Sequence, residues 1–158
     1  MRAAGDGART DREDALEPGL VLLVNAAATL MLCGLVWFVQ LVHYPLLPDA
    51  DPALLARYMS QHQRRTTWVV APLAAAETIS AAALVAIPGP LQASWLARIG
   101  LGLVVLLWLS TWRLQAPLYA RLSQRGHVSA IAPLVGSNWV RTTLWSARAL
   151  LVLALLRG

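Results

Sequence analysis

Four long apolar runs restrict the fold of this chain more than any other feature. They cover about residues 19–44, 67–87, 94–114 and 139–156, and each is about as long as the ~17–25 residues that an α-helix needs to cross a bilayer. Because backbone polar groups in lipid must bond within the chain, helices are favoured, and the alternating pattern of a membrane β-barrel is absent. The sequence predicts an all-α fold, an antiparallel four-helix transmembrane bundle.

The composition agrees with a membrane protein. Hydrophobic residues make up 58% and charged residues 13% of the chain, whereas a soluble domain carries roughly 25% charged residues. Residues 1–18 are polar and rich in acids and arginine, so we expect a disordered N-terminal tail. This tail lacks the basic start and cleavage site of a signal peptide, so we expect the first apolar run to be retained. Residues 19–158 then form one transmembrane domain.

The two longer connectors, residues 45–66 and 115–138, fall on the same membrane side in an antiparallel bundle; we call it side A. Each connector contains an apolar helical face, which predicts a short interfacial segment. Asp51 before Pro52 is a typical helix start. On the opposite side, Pro88-Gly89-Pro90 predicts a tight hairpin between the second and third helices.

The charges argue against a nucleic-acid partner. The net charge is +5 and all 13 basic residues are arginine, but they are scattered over loops and helix ends and form no basic stripe. The use of arginine without lysine suggests a GC-rich bacterial genome, and we expect a multi-pass protein of the bacterial cytoplasmic (inner) membrane. The lipid bilayer is then the main partner, and the sequence leaves open a homo-oligomer or a place in a larger complex.

Two charges lie near the bilayer midplane. Glu77 and Arg148 are at matching depths from side A, at a rise of about 1.5 Å per residue, and an unpaired charge there would cost at least ~3 kcal/mol. We therefore predict an intramembrane ion pair that fixes helix packing. Two alternatives remain: Glu77 is a proton-relay or substrate carboxylate held by an arginine, or it is protonated and bonded to a neighbour such as Thr29.

Polar and aromatic side chains are concentrated at the side-A ends of the predicted helices. Such a group can form a pocket for a headgroup, a quinone or a flat aromatic molecule, or it can be an ordinary interfacial belt. In the pocket interpretation His43 is the general base and Arg141 holds an oxyanion or headgroup. The candidate substrate-binding residues are Gln40, Tyr44, Gln115, Tyr119, Asn138 and Trp139.

The three histidines His43, His62 and His127 all fall on side A. None has the spacing of a metal-binding motif, and no cofactor is evident. A haem or metal site would have to be assembled in space from these three residues, which the sequence disfavours.

The C-terminal half resembles a known pattern. Gln115-Ala116-Pro117-Leu118-Tyr119, followed by Ser137-Asn138-Trp139-Val140-Arg141-Thr142, is similar to the signature of anthrone-oxygenase-like and related uncharacterised bacterial four-helix membrane proteins. The resemblance covers about 35 residues and implies that Gln115, Asn138 and Arg141 are signature residues. It also implies oxidation of flat phenolic molecules. At Tyr119 the chain departs from the usual asparagine or histidine.

We expect one of two functions. The first is an oxidoreductase or oxygenase-like membrane enzyme acting on a lipophilic aromatic or quinone-like molecule in a polar pocket at one membrane face. The alternative is a non-catalytic membrane protein, either an accessory subunit of a larger complex or a small carrier. The absence of an inverted repeat argues against the carrier.

Overall fold

The computed structural model describes residues 3–88, 94–125 and 127–157, without the side chains of residues 3–17 and of Arg125. This part of the chain is helical throughout, apart from short turns. Two π-helical segments, Val39–His43 and Thr111–Gln115, and two 3₁₀ segments, Tyr44–Asp49 and Val128–Ala130, join the α-helices. The α-helices are α1 (Ala3–Phe38), α2 (Pro52–Ala86), α3 (Trp95–Ser110), α4 (Ala116–Arg125) and α5 (Ile131–Leu155).

The described residues form four helical rods, because each π segment continues the helix before it. α1 packs against α2 and α5, and α3 packs against the same two helices. Three rods are long and apolar enough to cross a membrane by length and composition: Pro18–Asp49, Pro52–Ala86 and Trp95–Gln124. The predicted fold class, an all-α four-helix bundle, is confirmed.

The helices extend further on side A than the sequence predicts. α2 begins at Pro52, so the predicted interfacial helix and the second span form one continuous helix. Asp51 caps it by accepting a 2.8 Å hydrogen bond from the Ala53 amide, and between Pro52 and Pro72 no proline or glycine interrupts the helix. Likewise, α5 begins at Ile131 instead of at residue 139.

Each π segment ends two residues before a proline, and this explains where it forms. Pro45 follows the segment ending at His43, and Pro117 follows the segment ending at Gln115. A proline ring lacks an N–H and clashes with the carbonyl four residues earlier. A widened turn of i→i+5 type relieves that clash without ending the helix. Neither proline therefore ends its rod, although the sequence predicts breaks at both.

The side-A ends of the rods pack into a hydrophobic core of their own. Its buried members come from both connectors, so the two connectors lie on one side of the bundle, as predicted. They are Tyr44, Leu47, Leu55, Met59, Leu122, Ala130, Ile131 and Leu134.

The N-terminal part of α1 differs from the expected disordered tail, since the backbone is helical from Ala3 onward. Alanines and alternating acids and arginines in this segment are compatible with helix extension. Most of the predicted hairpin at Pro88-Gly89-Pro90 lies outside the described residues.

Candidate functional site

The predicted midplane residues Glu77 and Arg148 are in contact. Arg148 Nε donates to Glu77 Oε1 at 3.3 Å, and both side chains are almost fully buried. Thr29 Oγ1 donates to the same oxygen at 2.8 Å, and Trp145 Nε1 donates to Oε2 at 3.1 Å. The carboxylate therefore has a cation and two neutral donors, as a buried carboxylate requires.

The other nitrogens of the Arg148 guanidinium contact α1 and lie against a glycine of α3. Nη2 donates to Asn25 Oδ1 at 3.1 Å and to Thr29 Oγ1 at 3.4 Å. Nη1 lies above Gly100, where an added Cβ would be 2.5 Å from that nitrogen. Gly100 therefore provides the room for this arginine. The pair joins α1, α2, α3 and α5 at one depth.

The rim amides bond to one another across the bundle. Asn138 Nδ2 donates to Gln40 Oε1 at 2.8 Å, and Gln40 Nε2 donates to the Val135 carbonyl at 3.4 Å. Gln115 Nε2 donates to the Ser137 carbonyl at 3.1 Å. Both glutamines lie in π segments and are buried. The three candidate binding amides therefore tie the two π segments to the start of α5.

The two rim tyrosines are also paired, since the hydroxyls of Tyr44 and Tyr119 share a hydrogen bond. Tyr44 is fully buried in the side-A core, whereas Tyr119 is partly exposed and lines a cleft. Trp139 is exposed and meets Trp37 edge to face at 5.8 Å. Its position is typical of an interfacial aromatic belt.

Two of the histidines form a ring stack. The rings of His43 and His62 lie 4.2 Å apart and are nearly parallel, and Tyr58 stacks beside them at 6.1 Å from His43. His43 Nε2 is buried and has no hydrogen-bond partner in the structure. The third histidine, His127, is exposed. Across residues 3–88, 94–125 and 127–157, no three or more histidine, cysteine or acidic side chains come together as metal ligands would.

A cleft opens between α2 on one side and α3 and α4 on the other; we call it the α2–α3 cleft. Its outer part, near side A, has a volume of about 360 Å³. An inner part of about 70 Å³ shares five lining residues with the outer part and ends at Glu77 and Trp145. The walls are mostly apolar or aromatic, with Trp108 and Tyr119 at the outer part. The shared residues are Val70, Ala74, Trp108, Thr111 and Arg141.

Arg141 lines both the outer and the inner part of this cleft. Its guanidinium lies over the Trp145 ring at 4.9 Å, within the range of a cation–π contact. Nη1 is 3.5 Å from Asn138 Oδ1, while Nε is buried and has no hydrogen-bond partner. Among the described residues no carboxylate pairs with Arg141. The Arg141 side chain therefore lines the cleft as a cation without a carboxylate partner among the described residues.

The two predicted catalytic residues, His43 and Arg141, line different cavities. His43 lines a groove between α1 and α2, with Tyr58 and Arg65, whereas Arg141 lines the α2–α3 cleft. His62 lies at the edge of both. Of the candidate residues, the structure brings Arg141 and Tyr119 together in the cleft. It places Gln40, Gln115 and Asn138 in the buried network beside it.

Three cleft residues are not among the predicted catalytic or substrate-binding residues: His62, Trp108 and Trp145. The sequence offers His62 only as a possible metal ligand in a connector. In a helix that begins at Pro52, the four-residue spacing of His62, Thr66 and Val70 places them on one face. Trp145 was recognisable from its position on the inward face of the last helix, four residues after Arg141.

The fold and the cleft define a small helical bundle whose described residues include three membrane-length helices. No protein-family model matches the chain, and neither a curated protein nor a solved structure is similar to it. The resemblance to anthrone-oxygenase-like proteins therefore stays a prediction.

Proposed function

We propose that this protein is a multi-pass protein of the bacterial cytoplasmic membrane that binds a lipophilic aromatic or quinone-like molecule in the α2–α3 cleft. In this proposal α5 is the fourth span. The observation that carries the proposal is the cleft itself. Its walls are mostly apolar or aromatic, and several polar groups line it as well, among them His62, Tyr119 and Arg141. This combination is typical of small-molecule sites.

The proposed activity is an oxidoreductase or oxygenase-like reaction on that molecule. The chain's own contribution would be to bind and orient the ligand and to hold a proton next to it. His62 rather than His43 lines the cleft, so His62 takes the role of proton acceptor in this proposal. Arg141 would stabilise a developing negative charge on a ligand oxygen.

The alternative is a non-catalytic membrane protein, such as an accessory subunit. One observation favours it: the rim amides Gln40, Gln115 and Asn138 bond to one another or to backbone carbonyls, so their polar groups stabilise the bundle. In this case the cleft is filled by lipid chains or by a partner helix.

Purification in native lipid, followed by mass spectrometry, separates the two proposals. The enzyme proposal expects a quinone, pigment or other aromatic molecule to co-purify, and the subunit proposal expects a stoichiometric protein. A matched control is Ala71→Phe, because Ala71 lines the outer cleft and is exposed, so a phenyl ring would fill the cavity without disturbing the core. If wild type and Ala71→Phe retain the same molecule in equal amounts, the cleft is not the binding site.

A further inference from the structure

The charges around the α2–α3 cleft do not balance. Glu77 is paired with Arg148 at the inner end of the cleft. Arg141 has no carboxylate partner among the described residues, and its nearest polar contact is the neutral amide of Asn138. Glu77, Arg148 and the partly buried Arg141 together therefore carry a net charge of +1 beside the cleft.

The contacts of Arg141 leave part of its guanidinium group without a partner. Nη1 is directed to Asn138 and one face of the group covers Trp145. The Nε donor is buried and unsatisfied. Buried polar groups almost always have a partner, so the unpaired Nε leaves this guanidinium group short of acceptors. Arg141 is partly exposed and lines the cleft, so a ligand oxygen in the cleft can reach the accessible part of the guanidinium group. A guanidinium group can bind a carboxylate through two parallel N–H···O bonds.

We propose that the α2–α3 cleft binds a lipophilic organic monoanion, a carboxylate or phenolate on an aromatic body, whose oxygen accepts from the guanidinium group of Arg141. This rests on the proposed function, since it names the class of molecule that the same cleft takes. The aromatic body lies against Trp108 and Tyr119 in the outer part. One negative charge on the ligand balances the charge of Arg141, as Glu77 balances that of Arg148.

Glu77 limits the charge of the ligand. Its carboxylate lines the inner part of the cleft together with Arg141. A dianion such as a phosphate monoester would have one positive partner, Arg141, and would be repelled by the nearby Glu77 carboxylate. The single charge of a monoanion is balanced by Arg141. The outer part offers a second phosphate charge only neutral groups, including Gln63, Thr66 and Thr67. The charges around the cleft therefore exclude dianions, whereas the phosphodiester of a phospholipid is itself a monoanion. We expect a free aromatic acid because Trp108 and Tyr119 give the outer part an aromatic wall.

The test compares two probes of nearly equal shape, 2-naphthoate and neutral 2-naphthamide, with the full-length protein in phosphatidylcholine nanodiscs at pH 7. We expect 2-naphthoate to bind ~10- to 100-fold more tightly, the range expected for a hydrogen bond to a charged group. Arg141→Gln should remove this preference by weakening the binding of 2-naphthoate far more than that of 2-naphthamide. The matched control Arg57→Gln removes an exposed arginine of the side-A connector and should change neither affinity.

The comparison of the two probes on the wild-type protein can refute the inference even if Arg141→Gln does not fold. If both probes bind equally and Ala71→Phe blocks both, the proposed function stands and the anion specificity is wrong. If neither probe binds above the level seen with Ala71→Phe, the proposed function fails as well. If added phosphatidylglycerol displaces 2-naphthoate and is retained by the wild type but not by Arg141→Gln, the anion is a lipid headgroup and the assignment to a free acid is overturned.

Discussion

Removing one partner of the Glu77–Arg148 pair should destabilise the bundle far more than removing both. Glu77→Gln preserves the shape of the side chain but leaves Arg148, which is 1% exposed, with only neutral acceptors from Asn25 and Thr29. Arg148→Met leaves the Glu77 carboxylate with two neutral donors. Each single change leaves a buried charge without a countercharge, which costs about 3–5 kcal/mol.

The double variant Glu77→Gln/Arg148→Met removes both charges together. The amide oxygen introduced at position 77 can still accept a hydrogen bond from Thr29 or Trp145, so the main remaining loss is the donor to Asn25 Oδ1. An unsatisfied acceptor costs about 1–3 kcal/mol. If the single losses simply added, the double variant would lose about 6–10 kcal/mol, so we expect a coupling free energy of about 3 kcal/mol or more.

The assay is the free energy of unfolding in mixed micelles, measured by titration with sodium dodecyl sulfate for wild type, both single variants and the double variant. The control cycle combines Glu77→Gln with Arg57→Gln, because Arg57 is exposed and lies about 30 Å away along α2. This control should be additive within ~0.5 kcal/mol. A coupling of the same small size between residues 77 and 148 would show that their contact contributes nothing to stability and would refute the argument.

Three further changes test other contacts by thermal melts in detergent. Gly100→Ala should lower the melting temperature, because the new Cβ would lie 2.5 Å from Arg148 Nη1. The control Gly102→Ala, with nothing within 4 Å of the added Cβ, should have no effect or stabilise the helix slightly. Equal effects of the two changes would contradict the proposed role of Gly100. Gln40→Leu should cost about 1–3 kcal/mol by leaving its amide partner on α5 unpaired, and an unchanged melt would disprove it. Trp145→Phe keeps an aromatic ring in the bundle but loses the hydrogen bond from the indole N–H to the midplane carboxylate, so it should cost about 1.5–3 kcal/mol.

The sequence allowed much of the buried polar network to be predicted. The spacing of Asn25, Thr29 and Gln40 on the first helix indicates one inward face, and all three are buried. The contact between Glu77 and Arg148 followed from depth alone, since the rise per residue of a helix is fixed. These inferences succeeded because an uninterrupted helix has a regular period and a regular length.

The same regularity explains what the sequence could not supply. A π segment adds a residue to one turn and so changes which side chains face inward after it. The sequence indicates helix breaks at Pro45 and Pro117, but the chain instead widens a turn before each and continues. It also indicates that Gln115 and Asn138 are not lipid-facing. It does not distinguish amides that face a ligand from amides that bond to other parts of the bundle.

Arg141 and Arg148 differ in role although they lie on one side of the same helix. Seven residues separate them, so they project from α5 about two turns apart. Trp145 lies between the two arginines. Its ring lies under the Arg141 guanidinium, and its N–H donates to the Glu77 carboxylate, which pairs with Arg148. Glu77 is the carboxylate the structure places at this depth, and Arg148 binds it. The charge of Arg141 is therefore left for the cleft, which is why the stability of the bundle should depend on residue 148 and ligand selectivity on residue 141.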